Sequence, residues 1–399
     1  MDMAIRSRPG NSINKDINML KYTIVMPCLN EELTLAKCIE EAKSGALSAG
    51  ADIEIIIADN GSTDDSKRIA LSAGCKVVDV PIKGYGAALN AGIQAATNSF
   101  VVMGDSDLSY AFEDSPKFAK ALENGADIVI GNRFAGGIHP GAMPWHHKYI
   151  GNPVLSFLGR VFFSIPIKDF HCGLRAVRKE KYLEANPVTT GMEFATEMIA
   201  RLANVGAVFN EIPTQLRKDG RDRKPHLRSF PDGWRHLKMM LLFSPQYFQL
   251  LPGSLLSVIG IFGLTSFGAT GRVNLLFAEG SLQTALFSTV FLIVGTQLIN
   301  ASFVTMAYAT SKNVVRFKPW NSIQRIVTSK GFLTFTLALS LLSFASLISI
   351  GSLWLSANFP AVDPISESRK TLPLISLLIV GVQGLMCSVQ TRQILSKFW

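Results

Sequence analysis

Beyond residue 248 the chain runs through four long apolar stretches, and no other feature narrows its fold as far. Between residues 249 and 310 the only charged side chains are Arg272 and Glu279, and none occurs in 331–362 or 371–391. Each window holds a run of about 20 mostly apolar residues, the length an α-helix needs to cross a bilayer core. Spans are predicted near 250–270, 282–308, 331–355 and 371–391, the first interrupted by Pro252 and several glycines. A buried helix of a soluble protein explains one such run; four in series point to a membrane domain, 249–399.

The residues ahead of it are of another kind. Residues 1–21 form a polar tail without the apolar core of a secretory signal. The five cysteines, Cys28, Cys38, Cys75, Cys172 and Cys387, are scattered without metal-ligand spacing and read as free thiols in a reducing compartment. The net charge of +9 suits either nucleic acid or an anionic membrane. The basic residues choose between them. Arg217, Lys218, Arg221, Arg223, Lys224, Arg228, Arg235 and Lys238 crowd just before the first span, the pattern that meets lipid headgroups, and no aromatic platform for single strands accompanies them. The expected partners include membrane lipid and exclude nucleic acid.

Between tail and membrane, apolar runs at 22–29, 54–58, 75–80 and 101–105 alternate with helical stretches, which predicts an α/β head with a mostly parallel sheet and helices on both faces. Each run ends in a polar cluster: Asn30-Glu31, Asp59-Asn60, Lys83-Gly84 and Asp105-Ser106-Asp107. Strand ends of such a sheet converge on one crevice, where ligands bind. Asp105 and Asp107, one residue apart, offer hard oxygen ligands for Mg²⁺ or Mn²⁺ shared with a diphosphate. A solvated Asp-Ser-Asp turn is the plain alternative for that pair alone.

The segments Val25-Met-Pro-Cys-Leu-Asn-Glu-Glu32, Asp59-Asn-Gly-Ser-Thr-Asp64, Lys83-Gly-Tyr-Gly-Ala-Ala-Leu-Asn-Ala-Gly92 and Asp105-Ser-Asp107 together resemble the inverting family 2 glycosyltransferases of GT-A fold. The nearest subgroup makes polyprenyl-phosphate sugars, as dolichol-phosphate mannose and glucose synthases do. The resemblance covers roughly residues 20–230 and implies a GT-A domain over 22–228, followed by an amphipathic interfacial helix over 229–248. It implies that Pro27, Leu29, Asn30 and Glu31 lie against base and ribose. Asp59, beside Asn60, accepts from the base edge. Lys83, Gly84 and Gly86 sit by the ribose or diphosphate, Ser106 belongs with the nucleotide-binding residues, and Asp105 and Asp107 flank the metal.

Further along, Gly131-Asn132-Arg133 stands where the family has Gly-Ser-Arg, whose arginine faces the acceptor phosphate. Lys148 stands one residue before the position of a family basic residue. Asp169, in Ile167-Lys-Asp-Phe-His-Cys-Gly-Leu-Arg175, matches a family aspartate near sugar or acceptor; a loop fixed by an Asp169–Arg175 pair is the alternative. Glu193 is expected near the sugar hydroxyls, and Glu197 to pair with Arg201. The basic loop with Arg217, Arg221 and Lys224 lies between sheet and membrane and is expected to hold a lipid phosphate. In 230–243, Trp234, Leu237, Leu241 and Leu242 make the apolar side of the interfacial helix.

Lys312, Arg316, Lys318, Arg325 and Lys330 lie between the second and third spans, so the positive-inside rule places that loop, the head and both termini in the cytoplasm. The expected reaction is a single displacement from a nucleotide-diphosphate sugar, of UDP-glucose or GDP-mannose type, to polyprenyl phosphate. The rivals are a processive polysaccharide synthase, whose Gln-x-x-Arg-Trp motif this chain lacks, and a non-catalytic membrane scaffold or flippase. Homo-oligomers occur in the resembling group.

Overall fold

The computed structural model describes residues 19–222, 229–275, 278–280, 282–311, 320–358 and 363–396. Most of the polar tail lies outside them, as do Arg223, Lys224 and Arg228 of the basic loop and Lys312, Arg316 and Lys318. The chain divides into two compact units. The first takes in residues up to Phe157, Pro166–Met198 and Val205–Ser229; the second takes in Leu158–Ile165, Ile199–Asn204 and Phe230 onward.

The first unit is built on seven strands: β1 (Lys21–Cys28), β2 (Asp52–Asp59), β3 (Lys76–Asp79), β4 (Phe100–Met103), β5 (Ile128–Asn132), β6 (Arg175–Arg178) and β7 (Phe209–Pro213). They form one sheet in the order β3-β2-β1-β4-β6-β5-β7. The intervening helices are α1 (Leu35–Ser48), α2 (Ser66–Ser72), α3 (Tyr85–Ala95), α4 (Ser115–Glu123), α5 (Arg133–Gly136), α6 (Asn152–Phe163), α7 (Lys179–Ala185) and α8 (Phe194–Asn204). β1 pairs in parallel with β2 and β4, β2 with β3, and β5 with β7. Tyr22, Ile24, Val25 and Met26 are fully buried, which is why β1 reads as an unbroken apolar run rather than an alternating one. α1 turns Leu35, Cys38, Ile39, Ala42 and Ala46 inward, one stripe at helical spacing.

β6 is the departure from expectation. It runs antiparallel between β4 and β5, pairing Phe100 with Arg178 and Ile130 with Arg175. Only four residues long and bounded by two arginines, it carries no apolar run to announce it.

In the second unit α9 (Ser229–Leu242) leads to α10 (Leu251–Thr270), then the hairpin β8 (Val273–Leu275) and β9 (Ala278–Gly280). α11 (Leu282–Ser311), α12 (Trp320–Val327), α13 (Lys330–Ser356) and α14 (Pro364–Leu395) follow. Four helices, Gln246–Thr270, Leu282–Ser311, Lys330–Ser356 and Pro364–Leu395, are long and apolar enough to cross a membrane. Their outward positions include Leu255, Phe262, Phe287, Phe335 and Leu342, apolar residues that water would not favour. A Cβ added at Gly260 would stand 2.5 Å from the Leu292 backbone nitrogen, so α10 and α11 approach backbone to backbone. The last helix begins earlier than its predicted span. Arg369, expected in a loop, lies on α14 and donates to the Gly268 and Ala269 carbonyls at the end of α10 (2.9 and 2.8 Å), where a cation meets the negative end of the helix.

Candidate active site

β4 hands over directly to Gly104-Asp105-Ser106-Asp107. The Ser106 hydroxyl donates to the Pro27 carbonyl (2.8 Å), and the Thr34 hydroxyl donates to the Ser106 carbonyl (2.7 Å). The acidic turn is thereby stitched to the end of β1 and the approach to α1. Asp107 accepts the Ser109 N–H (3.0 Å) and the Ser109 hydroxyl. Between them Leu108 has φ 68°, a left-handed conformation that costs a residue with a side chain about 1–2 kcal/mol. Such strain gathers at functional sites.

A guanidinium sits among the carboxylates. Arg221 bonds Asp107 Oδ2 through Nη1 (2.9 Å) and Glu31 Oε1 through Nη2 (2.7 Å), and all three residues are largely buried. Burial and the Asp107 charge raise the Asp105 carboxyl to about 6, against a smaller downward pull from Arg221 and the Tyr85 hydroxyl. Burial alone would lower the Arg221 pKa, but Glu31 and Asp107 carry it upward. Two carboxylates, Asp107 and Glu31, thus hold one arginine, with the Asp105 charge near by. That donor set suits a small divalent cation: carboxylate oxygens that already bind a cation, with ligand positions left for phosphate and water. Among the described residues no three or more His, Cys, Asp or Glu side chains converge closely enough to hold a metal ion by themselves, so the cation these carboxylates suit is one whose other ligands come from a phosphate and water.

The end of β2 supplies the next cluster. Asp59 accepts the Gly61 and Ser62 N–H groups (each 3.2 Å), leaving acceptor capacity on a buried carboxylate. The Asn60 amide donates to the Val80 and Ile82 carbonyls and accepts the Gly84 N–H (2.7 Å), so it staples the turn after β3 to the end of β2. Lys83 Nζ donates to the Asn60 carbonyl (2.7 Å). Asn30, at φ 59°, accepts the Thr63 N–H (2.7 Å). Gly84 has φ 136°, and a Cβ there would run into the Thr190 carbonyl. Pro27 and Leu29 are half-buried beside this cluster in sequence.

The third cluster is a buried ion pair. Arg133 donates Nε and Nη2 to the two Asp169 oxygens (2.7 and 2.8 Å), and its backbone N–H goes to Asp169 Oδ2 (2.9 Å). The expected alternative, an Asp169–Arg175 pair, is replaced by this one. Arg175 instead donates to the carbonyls of Cys172, Phe170 and Ala195, because both Asp169 oxygens are taken by Arg133. Glu211 accepts the Lys168 and Asp169 N–H groups (both 2.8 Å) and the Asn132 amide (2.9 Å). From the sequence Glu211 reads only as part of the last strand, Glu211-Ile-Pro-Thr; its three donors come from the fold.

The remaining candidates are more dispersed. Glu193 is half-buried at the approach to α8. Glu197 accepts the Val188 and Thr189 N–H groups and the Thr189 hydroxyl (3.0, 2.7 and 2.6 Å), anchoring the segment before α8. Arg217 pairs with Glu41 (2.7 Å) rather than lying open. Lys148 has its ammonium 5.5 Å from the Tyr149 ring centroid. Lys224 lies outside the described residues. Trp145, Tyr149, Ile150, Val154 and Phe157 are all exposed, an apolar stripe on and before α6 that was also missed.

Residues 23–184 match glycosyl transferase family 2. A low-salt glycan biosynthesis hexosyltransferase of Haloferax volcanii is 35% identical over 278 residues, 69% of this chain and 66% of that protein. An uncharacterized glycosyltransferase of Mycobacterium tuberculosis is 35% identical over 46% of this chain and 79% of its own. The chain belongs to glycosyl transferase family 2. A dolichyl-phosphate hexose transferase of Haloferax volcanii is 29% identical over 52% of this chain and 89% of its own. Among solved structures, glucosyl-3-phosphoglycerate synthase from Mycobacterium tuberculosis, in complex with Mn²⁺, UDP and glucosyl-3-phosphoglycerate, aligns with TM-score 0.44 and 23% identity, covering 60% of this chain and 85% of that one. The acidic turn after β4 and the cluster after β2 both fall within the residues matched by the family.

Proposed function

We propose that this chain transfers a hexose from a nucleoside-diphosphate sugar to a polyprenyl phosphate, with inversion and with the help of Mg²⁺ or Mn²⁺. One observation carries the reading: a single chain joins the acidic turn of a family 2 glycosyltransferase to four helices long and apolar enough to cross a membrane. The relative named for dolichyl-phosphate hexose transfer supports the same acceptor class. The positive loops support a head and termini on the cytoplasmic side, where nucleotide sugars are found.

The residues divide the work. Asp59 retains acceptor capacity for a base edge, which suits uracil and tolerates guanine. Asp105 and Asp107 would hold the divalent cation, which when bound neutralises the departing diphosphate as a Lewis acid. The nucleophile is a phosphate monoester oxygen, whose second pKa near 6 leaves it ionised at neutral pH, so no strong base is required. That fits Asp169, which is committed to Arg133 through three hydrogen bonds and serves to aim it. Arg133 Nη1 makes no hydrogen bond among the described residues and is the donor left for the acceptor phosphate. Glu193 is assigned to the sugar hydroxyls. Arg217, Arg221, Lys148 and Lys224 are the further cations for the lipid phosphate. Trp234 and Leu242, exposed on α9 beside Arg235 and Lys238, suit a bilayer interface.

The test is incubation of membranes carrying the protein with labelled nucleotide sugar and polyprenyl phosphate. A short labelled lipid whose formation EDTA stops supports the reading. A long polymer, or no transfer from any nucleotide sugar, overturns it.

A further inference from the structure

We infer that Arg221 is an internal counter-cation that holds the acidic turn closed until a divalent cation displaces it, freeing its guanidinium for the acceptor phosphate. This rests on the reading of Asp105 and Asp107 as metal ligands and adds to it an order of events.

The segment after β7 is laid across the acidic turn at successive points. The Arg217 N–H donates to the Ser109 carbonyl and the Gly220 N–H to the Asp107 carbonyl (both 2.9 Å). Arg221 then binds the Asp107 and Glu31 carboxylates (2.9 and 2.7 Å). A Cβ on Gly220 would meet the Leu108 and Thr34 side chains at 2.9 and 3.0 Å, so the strap lies flush on the turn. At its start, Leu216 N–H donates to the Gly137 carbonyl and His139 N–H to the Leu216 carbonyl (both 2.9 Å). The strap is thus held along its length by backbone hydrogen bonds and, at its far end, by charge as well.

Only the charged end can be exchanged. Asp107 Oδ1 is taken by Ser109, so Oδ2 is the oxygen left, and Arg221 has it. A divalent cation and this guanidinium compete for one oxygen. When the cation takes it, Arg221 loses half of its anionic partners and sits beside a like charge. Replacing a tethered monocation with a dication leaves the carboxylates of the turn more nearly neutralised. The guanidinium, already on the chain between acidic turn and membrane domain in sequence, then has a phosphate as its natural partner.

The full chain in detergent is titrated with MnCl₂ alone, with binding read by electron paramagnetic resonance and strap exposure by hydrogen exchange of the 214–222 segment. In the native chain Mn²⁺ should speed exchange at the strap amides. In Arg221→Gln those amides should already exchange fast, and Mn²⁺ should bind roughly tenfold more tightly, because a competing closed form has been removed. Mn²⁺ binding that leaves the strap unchanged, or weaker binding in Arg221→Gln, overturns the exchange while leaving the metal reading standing. Absence of Mn²⁺ binding in both proteins, alone and with UDP or GDP added, overturns the metal reading and the exchange with it.

Discussion

Asp169 grips Arg133 along the Nε–Nη2 edge of its guanidinium, at 2.7 and 2.8 Å, and also accepts its backbone N–H at 2.9 Å. Asp169 has no contact with water, while the Arg133 side chain keeps 9% of its surface exposed. A carboxylate bound this way has surrendered its own chemistry to the placement of another residue. The pair is expected to set stability and acceptor geometry together.

Removing one member should therefore be costly. Asp169→Ala leaves a buried, unpaired guanidinium and should lower stability by about 3–5 kcal/mol. The double variant Arg133→Met with Asp169→Leu should recover most of that loss but no transfer. Denaturant unfolding of the detergent-solubilised protein, alongside the transfer assay, checks both halves. Activity in the double variant would mean that Arg133 does not meet the acceptor.

Asp107→Asn keeps an acceptor for Ser109 and removes the charge. Transfer should fall by about 100-fold or more, the scale on which a group stabilising developing charge matters, while far-ultraviolet circular dichroism is unchanged. Near-native activity would take Asp107 out of the mechanism.

Asp105 makes the site pH-sensitive. Burial and Asp107 raise its carboxyl from the ordinary 3.8 to about 6. Between those values the folded protein holds more proton than the unfolded chain, so this group's contribution to stability is full below pH 4 and is lost as pH rises through 6. A divalent cation held by Asp105 would replace the proton and remove the penalty. The rise in melting temperature caused by Mn²⁺ should be larger at pH 7.5 than at pH 5. An equal rise at both would show that Asp105 is not where the cation binds.

The head's thiols should be inert. Burial raises Cys28 to about 11 and Cys38 and Cys172 to about 12, and Cys75 is also raised by burial. At pH 8 iodoacetamide should leave all four unmodified in the native protein and label them after denaturation, as mass spectrometry would record.

Much of this was written in one dimension. The parallel strands β1, β2 and β4 are legible because strands buried on both faces are apolar without a break, and the membrane helices because a bilayer core tolerates almost no charge. The acidic turn is legible because it follows β4 directly. β6 was hidden: at four residues between arginines it has the composition of a loop, and its place between β4 and β5 is paid for by partners far away in sequence.

What the chain order determines is which chemical groups stand at the ends of strands, since that depends only on local pattern and on how parallel sheets are wound. Who pairs with whom was decided by the fold. Arg133 meets Asp169 across 36 positions, and Arg221 reaches Glu31 across 190. Sequence shows each charge as free to meet a ligand. Only burial, which forces every charge to find a partner at hand, reveals that these arginines are already held.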